Sequence, residues 1–220
     1  MIIINNSSLR IVTGLTLALT FSTLFFYCPP ILLSTLFLCA IFIMILELQK
    51  MISHPLKFYT LALFYPITPG LILIYCNQTA EYRNLLLYLF VIVFSFDSAS
   101  YFCGKLCSKI WTTRKIIPVI SPGKSWEGAI GGYFFTTLII WINMNSWYQH
   151  DLLFVYSLSA VMCTIAFCGD IFESYLKRSA KIKDSGTILP GHGGLLDRFD
   201  AVLAVSYFFF IFKDYLLIIF

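Results

Sequence analysis

The amino-acid sequence predicts an all-α fold, a polytopic helical bundle embedded in a membrane with about seven spans. Hydrophobic residues make up 59% of the 220 residues and charged residues only 12%, whereas roughly a quarter of the residues in a soluble domain are charged. The mean hydropathy is +0.85, and one soluble core of this size has no room for so much apolar material. The apolar residues also fall into runs of about 20, the length that an α-helix needs to cross a bilayer.

Seven such runs are candidates for spanning helices. A proline-containing turn at 28–30 separates the first two, and Pro66 and Pro69 predict a kink or a break in the third. A Lys-Asp pair at 213–214 interrupts the last run, so we expect its end at a membrane interface. No small-residue cleavage site closes the first run, which is therefore expected to be a permanent helix rather than a signal peptide. The runs lie at about 11–28, 31–48, 57–76, 84–102, 126–143, 152–169 and 197–219.

The positions of Lys and Arg predict the orientation, because cytoplasmic loops carry an excess of these residues. With seven spans and the N-terminus inside, only Arg83 and Lys213 of the fifteen basic residues fall outside, which leaves thirteen inside. One span more or fewer would remove this asymmetry. The long polar segments 103–125 and 170–200 are then cytoplasmic, and we expect the chemistry there. We divide the chain into N-terminal transmembrane helices (1–82) and a catalytic transmembrane domain (83–220).

Two other classes of site are not expected. The basic residues flank the apolar runs and form no stripe on a soluble face, so the sequence predicts no nucleic-acid partner. The seven cysteines lie mostly inside apolar runs and are expected to pack as small hydrophobic residues. Cys103 and Cys107 are four residues apart, but no further His or Cys completes a metal site beside them.

Asp97 is the first candidate site residue, near the inner end of the fourth run. A carboxylate close to the hydrocarbon is costly and usually functional, and Ser95, Ser98 and Ser100 add polar groups nearby. The alternative is a helix-end carboxylate that pairs with Lys105 or is hydrated. We expect Asp97 to contact substrate or to orient a cation.

A second candidate is the segment 121–128, which reads Ser-Pro-Gly-Lys-Ser-Trp-Glu-Gly. A phosphate-binding P-loop requires a glycine five residues before its Gly-Lys-Ser, and Pro118 stands there instead. We therefore exclude the P-loop fold. Lys124 and Ser125, together with backbone N–H groups at a helix start, can still hold a phosphate. The alternative is an ordinary basic helix cap.

The segment from Gly169 to Arg178 carries the strongest pattern. In a helix, Asp170, Ser174, Lys177 and Arg178 occupy positions i, i+4, i+7 and i+8 and share one face. A carboxylate, a hydroxyl and two cations on one stripe suit a metal-bound polyphosphate. The carboxylate would hold the cation, and the Lys and Arg side chains would bind the phosphates.

Glycines follow in the segment 183–194, at positions 186, 191, 193 and 194. They free the backbone to wrap closely around an anion. His192 lies between two of them, so exposure to a ligand is expected, although an isolated histidine is more often structural. Asp197 and Asp200 are then spaced i, i+3 at a helix start and can form a hard-cation site. The alternative is that the helix dipole favours acids there.

At these residues the chain resembles the phosphatidate cytidylyltransferases, also called CDP-diacylglycerol synthases. The family signature is Ser-x-apolar-Lys-Arg, four residues, Lys-Asp-x-small, two residues, apolar-Pro-x-His-Gly-Gly-apolar-x-Asp-Arg-apolar-Asp. Every fixed position is matched between Ser174 and Asp200. The stretches 97–105 and 121–128 also resemble the family, whereas the N-terminal spans are similar only as hydrophobic helices.

The resemblance implies that phosphatidate and CTP give CDP-diacylglycerol and pyrophosphate. It implies Mg²⁺ as a cofactor, with a second, monovalent cation such as K⁺ nearby. Asp170 and Asp197 are then the metal carboxylates, Ser174 and Lys177 contact substrate phosphate, and Asp200 is a further essential acid. A homodimer is also suggested, in the inner (plasma) membrane of the cell, with the active site at the cytoplasmic face.

The reaction brings two anions together, so the protein must mainly neutralise charge and align the groups. Lys177, Asp184 and Asp200 are the expected catalytic residues. Asp184 and Asp97 can also orient the cations or bind the second one. The expected substrate-binding residues are Asp97, Lys124, Ser125, Ser174, Arg178, Lys183, His192 and Arg198.

Three rival functions fit the sequence less well. A polyprenol or dolichol kinase would also use CTP and a lipid, but the full run from Ser174 to Asp200 argues against it. A transporter or channel would place its charges near the bilayer midplane, often at paired half-helices, whereas these polar clusters lie at one face. A non-catalytic scaffold leaves the carboxylates and cations of the segment 170–200 unexplained.

Overall fold

The computed structural model describes residues 6–144, 151–189 and 193–220. Within these residues the chain forms helices and one small antiparallel strand pair, so the predicted helical membrane class is confirmed. The strand pair was not predicted. The helices are α1 (Asn6–Tyr27), α2 (Pro30–Gln49), α3 (Pro55–Ala62), α4 (Thr68–Gln78), α5 (Arg83–Ile110), α6 (Trp126–Asn143), α7 (Leu152–Ser179), α8 (Leu196–Ile211) and α9 (Lys213–Ile219), and the strands are β1 (Lys115–Ile117) and β2 (Ser121–Ser125).

Several helices are suited to a lipid environment. Four helical segments among the described residues are long and apolar enough to cross a membrane, or five if α8 and α9 count as one bent span. The apolar part of α1 is shorter. The protein is therefore an integral membrane protein. Judged by helix length and apolarity alone, however, it has fewer candidate spans than the predicted seven. The four segments are Pro30–Gln49, Pro55–Gln78, Arg83–Ile110 and Leu152–Ser179.

The predicted break in the third run is a π-helical turn, Leu63–Ile67, which joins α3 to α4 and contains Pro66. Proline cannot donate its backbone hydrogen bond and clashes with the preceding turn, so the helix takes in an extra residue there. The Thr68 hydroxyl donates to the Leu63 carbonyl at 2.8 Å, and the Tyr207 hydroxyl donates to the Phe64 carbonyl at 2.5 Å. The Leu63 and Phe64 carbonyls of the turn are thus satisfied inside the protein, as a membrane environment requires.

Two helices run well beyond their predicted apolar cores. Both α5 and α7 contain 28 residues, so the residues after 102 and after 169 continue as helix into the polar segments. The predicted stripe that begins at Asp170 is therefore helical. At the C-terminal end, α8 and α9 meet at 89°, which agrees with the expected interruption of the last run.

Two clusters of buried apolar side chains hold the bundle together. The larger joins Leu33 of α2, Leu86 of α5, Met162 of α7 and Val205 of α8. The smaller joins Met44 and Leu48 of α2 to side chains of α7 and α8, namely Leu176, Leu196 and Leu203. Each cluster thus draws on helices from both sides of the predicted division at residue 82, and α2 is packed directly beneath the start of α8.

Candidate active site

A cavity of about 410 Å³ opens between α5, the β2–α6 segment, α7 and α8. Its wall combines carboxylates and cations with aromatic and small side chains, among them Phe96, Tyr101 and Phe167. Nine of the thirteen site residues predicted from the sequence lie on this wall, although they come from five separate parts of the chain. They are Asp97, Lys124, Ser125, Asp170, Lys177, Asp184, Asp197, Arg198 and Asp200.

Glycines let the helices around the cavity approach closely. A Cβ atom added at Gly169 of α7 would lie 2.7 Å from the Cβ of Ala204 and 2.8 Å from the backbone oxygen of Asp200. A Cβ atom at Gly128 of α6 would lie 2.7 Å from the backbone oxygen of Ser100. Real side chains do not tolerate such distances, so both contacts depend on glycine. The contact at Gly169 brings the neighbouring Asp170 toward the carboxylates of α8.

Three carboxylates on three helices face one another across the cavity. Asp97 lies on α5, Asp170 on α7 and Asp200 on α8, and their negative charges act on one another. Lys124 Nζ lies 2.5 Å from Asp170 Oδ2 and 4.3 Å from the centroid of the Phe167 ring. Asp200 is only 7% exposed, so its charge is poorly screened by water. The three carboxylates repel one another, so a nearby positive charge would stabilise the group.

Lys177 supplies positive charge to this site. Its Nζ lies 2.5 Å from Asp197 Oδ1 and also forms an ion pair with Glu173, one helical turn earlier. The side chains of Glu173 and Asp197 are 0% and 6% exposed. One cation therefore compensates two buried carboxylates, while its own side chain still reaches the cavity wall.

Asp197 also anchors the segment that precedes α8. Its Oδ2 accepts hydrogen bonds from the backbone N–H of Ser185 at 2.9 Å, the Ser185 hydroxyl at 2.8 Å and the backbone N–H of Gly194 at 2.8 Å. Gly193 has a φ of +85°, a conformation that side chains other than glycine rarely adopt. Because Lys177 occupies the other oxygen, both oxygens of Asp197 are engaged by groups of the protein itself.

The Gly-Lys-Ser sequence lies in an antiparallel hairpin. β2 pairs with β1, and Ser125 forms the N-cap of α6, its hydroxyl accepting a hydrogen bond from the Gly128 N–H at 3.2 Å. A P-loop would instead follow a parallel strand, so the exclusion of that fold is confirmed. The alternative of a helix cap fits Ser125, while Lys124 projects onto the cavity wall beside Asp170.

Four predicted site residues are not on the cavity wall. Ser174 is buried next to it and donates to Asp170 Oδ1 at 3.3 Å. Arg178 donates to the carbonyls of Ile120 and Ile182, each at 3.2 Å, which ties the hairpin to the end of α7. Lys183 is exposed nearby. The remaining residue, His192, lies outside the described residues. The substrate contacts expected of these four residues stay predictions.

Three polar residues close to the site were missed by sequence reasoning. Glu47 and Glu173 are each 0% exposed, and Tyr65 is 7% exposed with no hydrogen-bond partner for its hydroxyl among the described residues. A signal existed for two of them. Glu47 is the only charged residue in the apolar run 31–48, and Glu173 lies on the same helical stripe as Asp170 and Lys177. Tyr65 has no distinguishing pattern in the sequence.

Comparison with known proteins identifies the family to which this arrangement belongs. Residues 11–216 match the family described as "Cytidylyltransferase family". The match includes every residue of the cavity wall and the whole of α5, α6, α7 and α8, which frame it. The chain belongs to the cytidylyltransferase family. The resemblance read from the segment 174–200 is therefore confirmed.

Several curated proteins similar to this cytidylyltransferase are named phosphatidate cytidylyltransferase. The Rickettsia prowazekii protein is 31% identical over 218 residues, which cover 96% of this chain and 93% of that protein. The Rickettsia conorii protein is 29% identical over 219 residues, with the same two coverages of 96% and 93%. The Haemophilus influenzae protein is 40% identical over 135 residues, 57% of this chain and 46% of that protein.

The residues on the cavity wall supply only some of the ligands that a hard cation requires. Among the described residues, no group of three or more His, Cys, Asp or Glu side chains is placed to hold a metal ion by itself. Mg²⁺ usually takes one or two carboxylates and obtains its other ligands from substrate phosphates and water. Asp97, Asp170 and Asp200 offer carboxylates of that kind to the cavity. Asp197 fits less well, because both of its oxygens are already engaged.

Proposed function

We propose that this protein is a phosphatidate cytidylyltransferase, which transfers the cytidylyl group of CTP to phosphatidate and releases pyrophosphate. The observation that carries the proposal is the convergence of Lys124, Lys177 and Arg198 with five carboxylates around one cavity. That arrangement suits two anionic substrates that share a cation. The cavity lies among membrane helices, where one substrate can stay in the bilayer while the other arrives from water.

In the proposed reaction, a phosphate oxygen of phosphatidate attacks the α-phosphorus of CTP, and the bond to the leaving pyrophosphate breaks. The attacking oxygen is already anionic, so no strong general base is required. The protein has to offset the repulsion between the two anions. Lys124 is suited to this role because a metal cation can replace it as the partner of Asp170. The Lys124 ammonium group is then free to bind a phosphate. Lys177 and Arg198 add positive charge on the α7 and α8 sides.

We also propose that Asp170 and Asp200 hold Mg²⁺ together with substrate phosphate oxygens. The ion would neutralise charge on the triphosphate and on the leaving pyrophosphate. Asp97, whose charge acts on both Asp170 and Asp200, is the proposed neighbour of a monovalent cation such as K⁺. Asp197 could join as a ligand only if Lys177 or Ser185 gave up its contact.

The site is proposed to face the cytoplasm, in a chain that crosses the plasma membrane seven times. Support comes from the thirteen-to-two distribution of Lys and Arg and from the seven helical segments α1, α2, α3–α4, α5, α6, α7 and α8–α9. A homodimer is proposed as the assembled form by family resemblance.

Turnover of purified protein in detergent or lipid tests the proposed function. Phosphatidate, labelled CTP and Mg²⁺ should give labelled CDP-diacylglycerol and pyrophosphate, and EDTA should abolish the product until Mg²⁺ is restored. A matched reaction with a polyprenol or dolichol in place of phosphatidate should give nothing. Well-folded protein that phosphorylates the alcohol, or that leaves phosphatidate unchanged, would contradict the proposal.

A further inference from the structure

Glu47 is a fully buried carboxylate that comes from α2, far from the site in sequence. It is 0% exposed and is not part of the cavity wall. Its Oε1 accepts a hydrogen bond from the backbone N–H of Leu195 at 3.0 Å, and its Oε2 accepts from the N–H of Leu196 at 2.8 Å. The Ser185 hydroxyl lies 3.2 Å from the same Oε2. Two backbone N–H donors, together with a hydroxyl that is shared with Asp197, thus compensate the burial of this carboxylate.

All of these donors belong to the segment that leads into α8. The first N–H groups of a helix have no partner within the helix and carry partial positive charge. The N-cap residue of α8 is Leu195, whose side chain makes no capping hydrogen bond. Glu47 supplies the missing acceptor from another helix. Its neighbour Leu48 packs with Leu196 and Leu203 in the smaller buried cluster, so the contact is reinforced by apolar packing.

The glycines of this segment fit closely around the same carboxylate. A Cβ atom added at Gly194 would lie 2.7 Å from each carboxylate oxygen of Glu47. A Cβ atom added at Gly186 would collide with Glu47 Oε1. The sequence predicted that these glycines let the backbone wrap an anion. For Gly186 and Gly194, the anion that the backbone encloses is a side chain of the protein rather than a substrate phosphate.

Ser185 connects this buried carboxylate to the active site. Its hydroxyl lies between Glu47 Oε2 and Asp197 Oδ2, at 3.2 Å and 2.8 Å. Asp197 in turn holds Lys177. The next residue toward the N-terminus, Asp184, and the next along α8, Arg198, both line the cavity. Movement at Glu47 would therefore displace residues on both sides of the site.

We propose that Glu47 is a positioning residue, which anchors residues 185–186 and 194–196 so that Asp184, Asp197, Arg198 and Asp200 keep their places on the cavity wall. The inference rests on the proposed function, since the displaced groups are those that bind CTP, phosphatidate and the cation. Glu47 itself does not line the cavity.

Substitution of Glu47 tests the proposal, with Glu81→Gln as the matched control at an exposed acid. Turnover is measured per folded molecule at saturating CTP, phosphatidate and Mg²⁺. Glu47→Ala should lower kcat about 100-fold and Glu47→Gln about 10-fold, because small displacements of reacting groups carry penalties of this size. Glu81→Gln should match the wild type. Hydrogen exchange at the Leu195 and Leu196 amides should rise in both Glu47 variants and not in the control.

Gly186→Ala gives a second test that does not require Glu47→Ala to fold well. The added methyl group should lower kcat by pressing on Glu47, and the double variant Glu47→Ala/Gly186→Ala should be no worse than Glu47→Ala alone. Additive losses, or wild-type kcat per folded molecule in Glu47→Gln, would overturn the inference and leave the proposed function standing. Wild-type protein that forms no CDP-diacylglycerol would instead overturn the proposed function and the positioning role with it.

Discussion

Lys177 is the cation on which two buried carboxylates depend. Lys177→Met would remove the cation that pairs with both Glu173 and Asp197, and a buried ion pair that loses one partner typically costs about 3–5 kcal/mol. We therefore expect a clear drop in the free energy of unfolding, measured by thermal unfolding in detergent, in addition to loss of turnover. Lys177→Arg keeps the charge and should lose less stability. An unchanged unfolding temperature in Lys177→Met would show that Lys177 serves only the substrate.

Asp197 and Asp200 should respond differently to neutralisation, although they lie three residues apart. Asp197→Asn places an NH₂ group where the carboxylate now meets donors from Ser185, Gly194 and Lys177, so it should lower the unfolding temperature. Asp200→Asn should keep the fold and raise the Mg²⁺ concentration needed for half-maximal turnover, because Asp200 is a proposed cation ligand. Parallel Mg²⁺ titrations and unfolding curves measure both effects.

The opposite result would restore the metal role that the sequence predicted for Asp197. A higher half-saturating Mg²⁺ concentration in Asp197→Asn, with unchanged unfolding, would mean that the substrate complex releases this carboxylate from Ser185 and Lys177. Asp200→Asn would then be expected to affect turnover without changing the Mg²⁺ dependence.

At the scale of single residues, the sequence located most of the cavity wall because its acids and bases lie in short, dense segments. Asp170 and Lys177 share a helical stripe, and Asp197 and Asp200 share a helix start, so local periodicity was sufficient. Glu47 and Tyr65 depend on how α2 and the π-helical turn pack against α7 and α8. Such packing between distant segments cannot be read from local sequence patterns. For Glu47, the only sequence signal was a single charged residue within an apolar run.

At the scale of helices, the contact between α7 and α8 depends on Gly169. In Gly169→Ala the new methyl group would meet the Cβ of Ala204 and the backbone oxygen of Asp200, so the two helices must separate. Overpacking of this kind typically costs about 1–3 kcal/mol. We expect a lower unfolding temperature and reduced turnover, since Asp170 and Asp200 would move apart.

Gly123→Ala is the control for the unfolding measurement, because a Cβ atom there has no neighbour within 4 Å. Equal unfolding temperatures for Gly169→Ala and Gly123→Ala would mean that the helices adjust without separating, which would contradict the close-contact argument.

The lengths of the helices were harder to predict than their positions. A helix predicted from a run of apolar residues ends where the first polar cluster begins. The fourth and sixth runs were therefore predicted to end at about 102 and 169, whereas α5 and α7 continue to Ile110 and Ser179. Beyond those points the helices carry polar side chains such as Asp170 and Lys177, which line the cavity, and helical hydrogen bonding still satisfies the backbone. The β1–β2 hairpin is too short to produce a clear alternation of polar and apolar residues.

At the scale of the whole molecule, contacts between distant segments constrain how the chain crosses the membrane. Lys124 lies just before α6 and Asp170 near the end of α7, yet their charged atoms are 2.5 Å apart. The two residues must therefore be on the same side, so α6 and α7 either both cross or both do not. Because α7 is long and apolar enough to cross, α6 is expected to cross with it.

A second contact of this kind joins Glu47, at the end of α2, to Leu195 and Leu196, at the start of α8. It places the end of α2, the hairpin and the end of α7 at one face of the membrane. This is the face that the excess of Lys and Arg predicts to be cytoplasmic.

Cysteine accessibility tests this topology in a variant whose seven native cysteines are replaced by serine or alanine. A membrane-impermeant maleimide should label Glu81→Cys and Asp151→Cys from outside intact spheroplasts, and should reach Lys109→Cys and Lys115→Cys only after permeabilisation. All four positions are exposed, and loss of the Asp151 cap on α7 should cost about 1 kcal/mol, which the fold can absorb. If Asp151→Cys were protected like Lys115→Cys, α6 would not cross. Lys124 and Asp170 could then share one site only if α7 also stayed on that side, which its apolar length argues against.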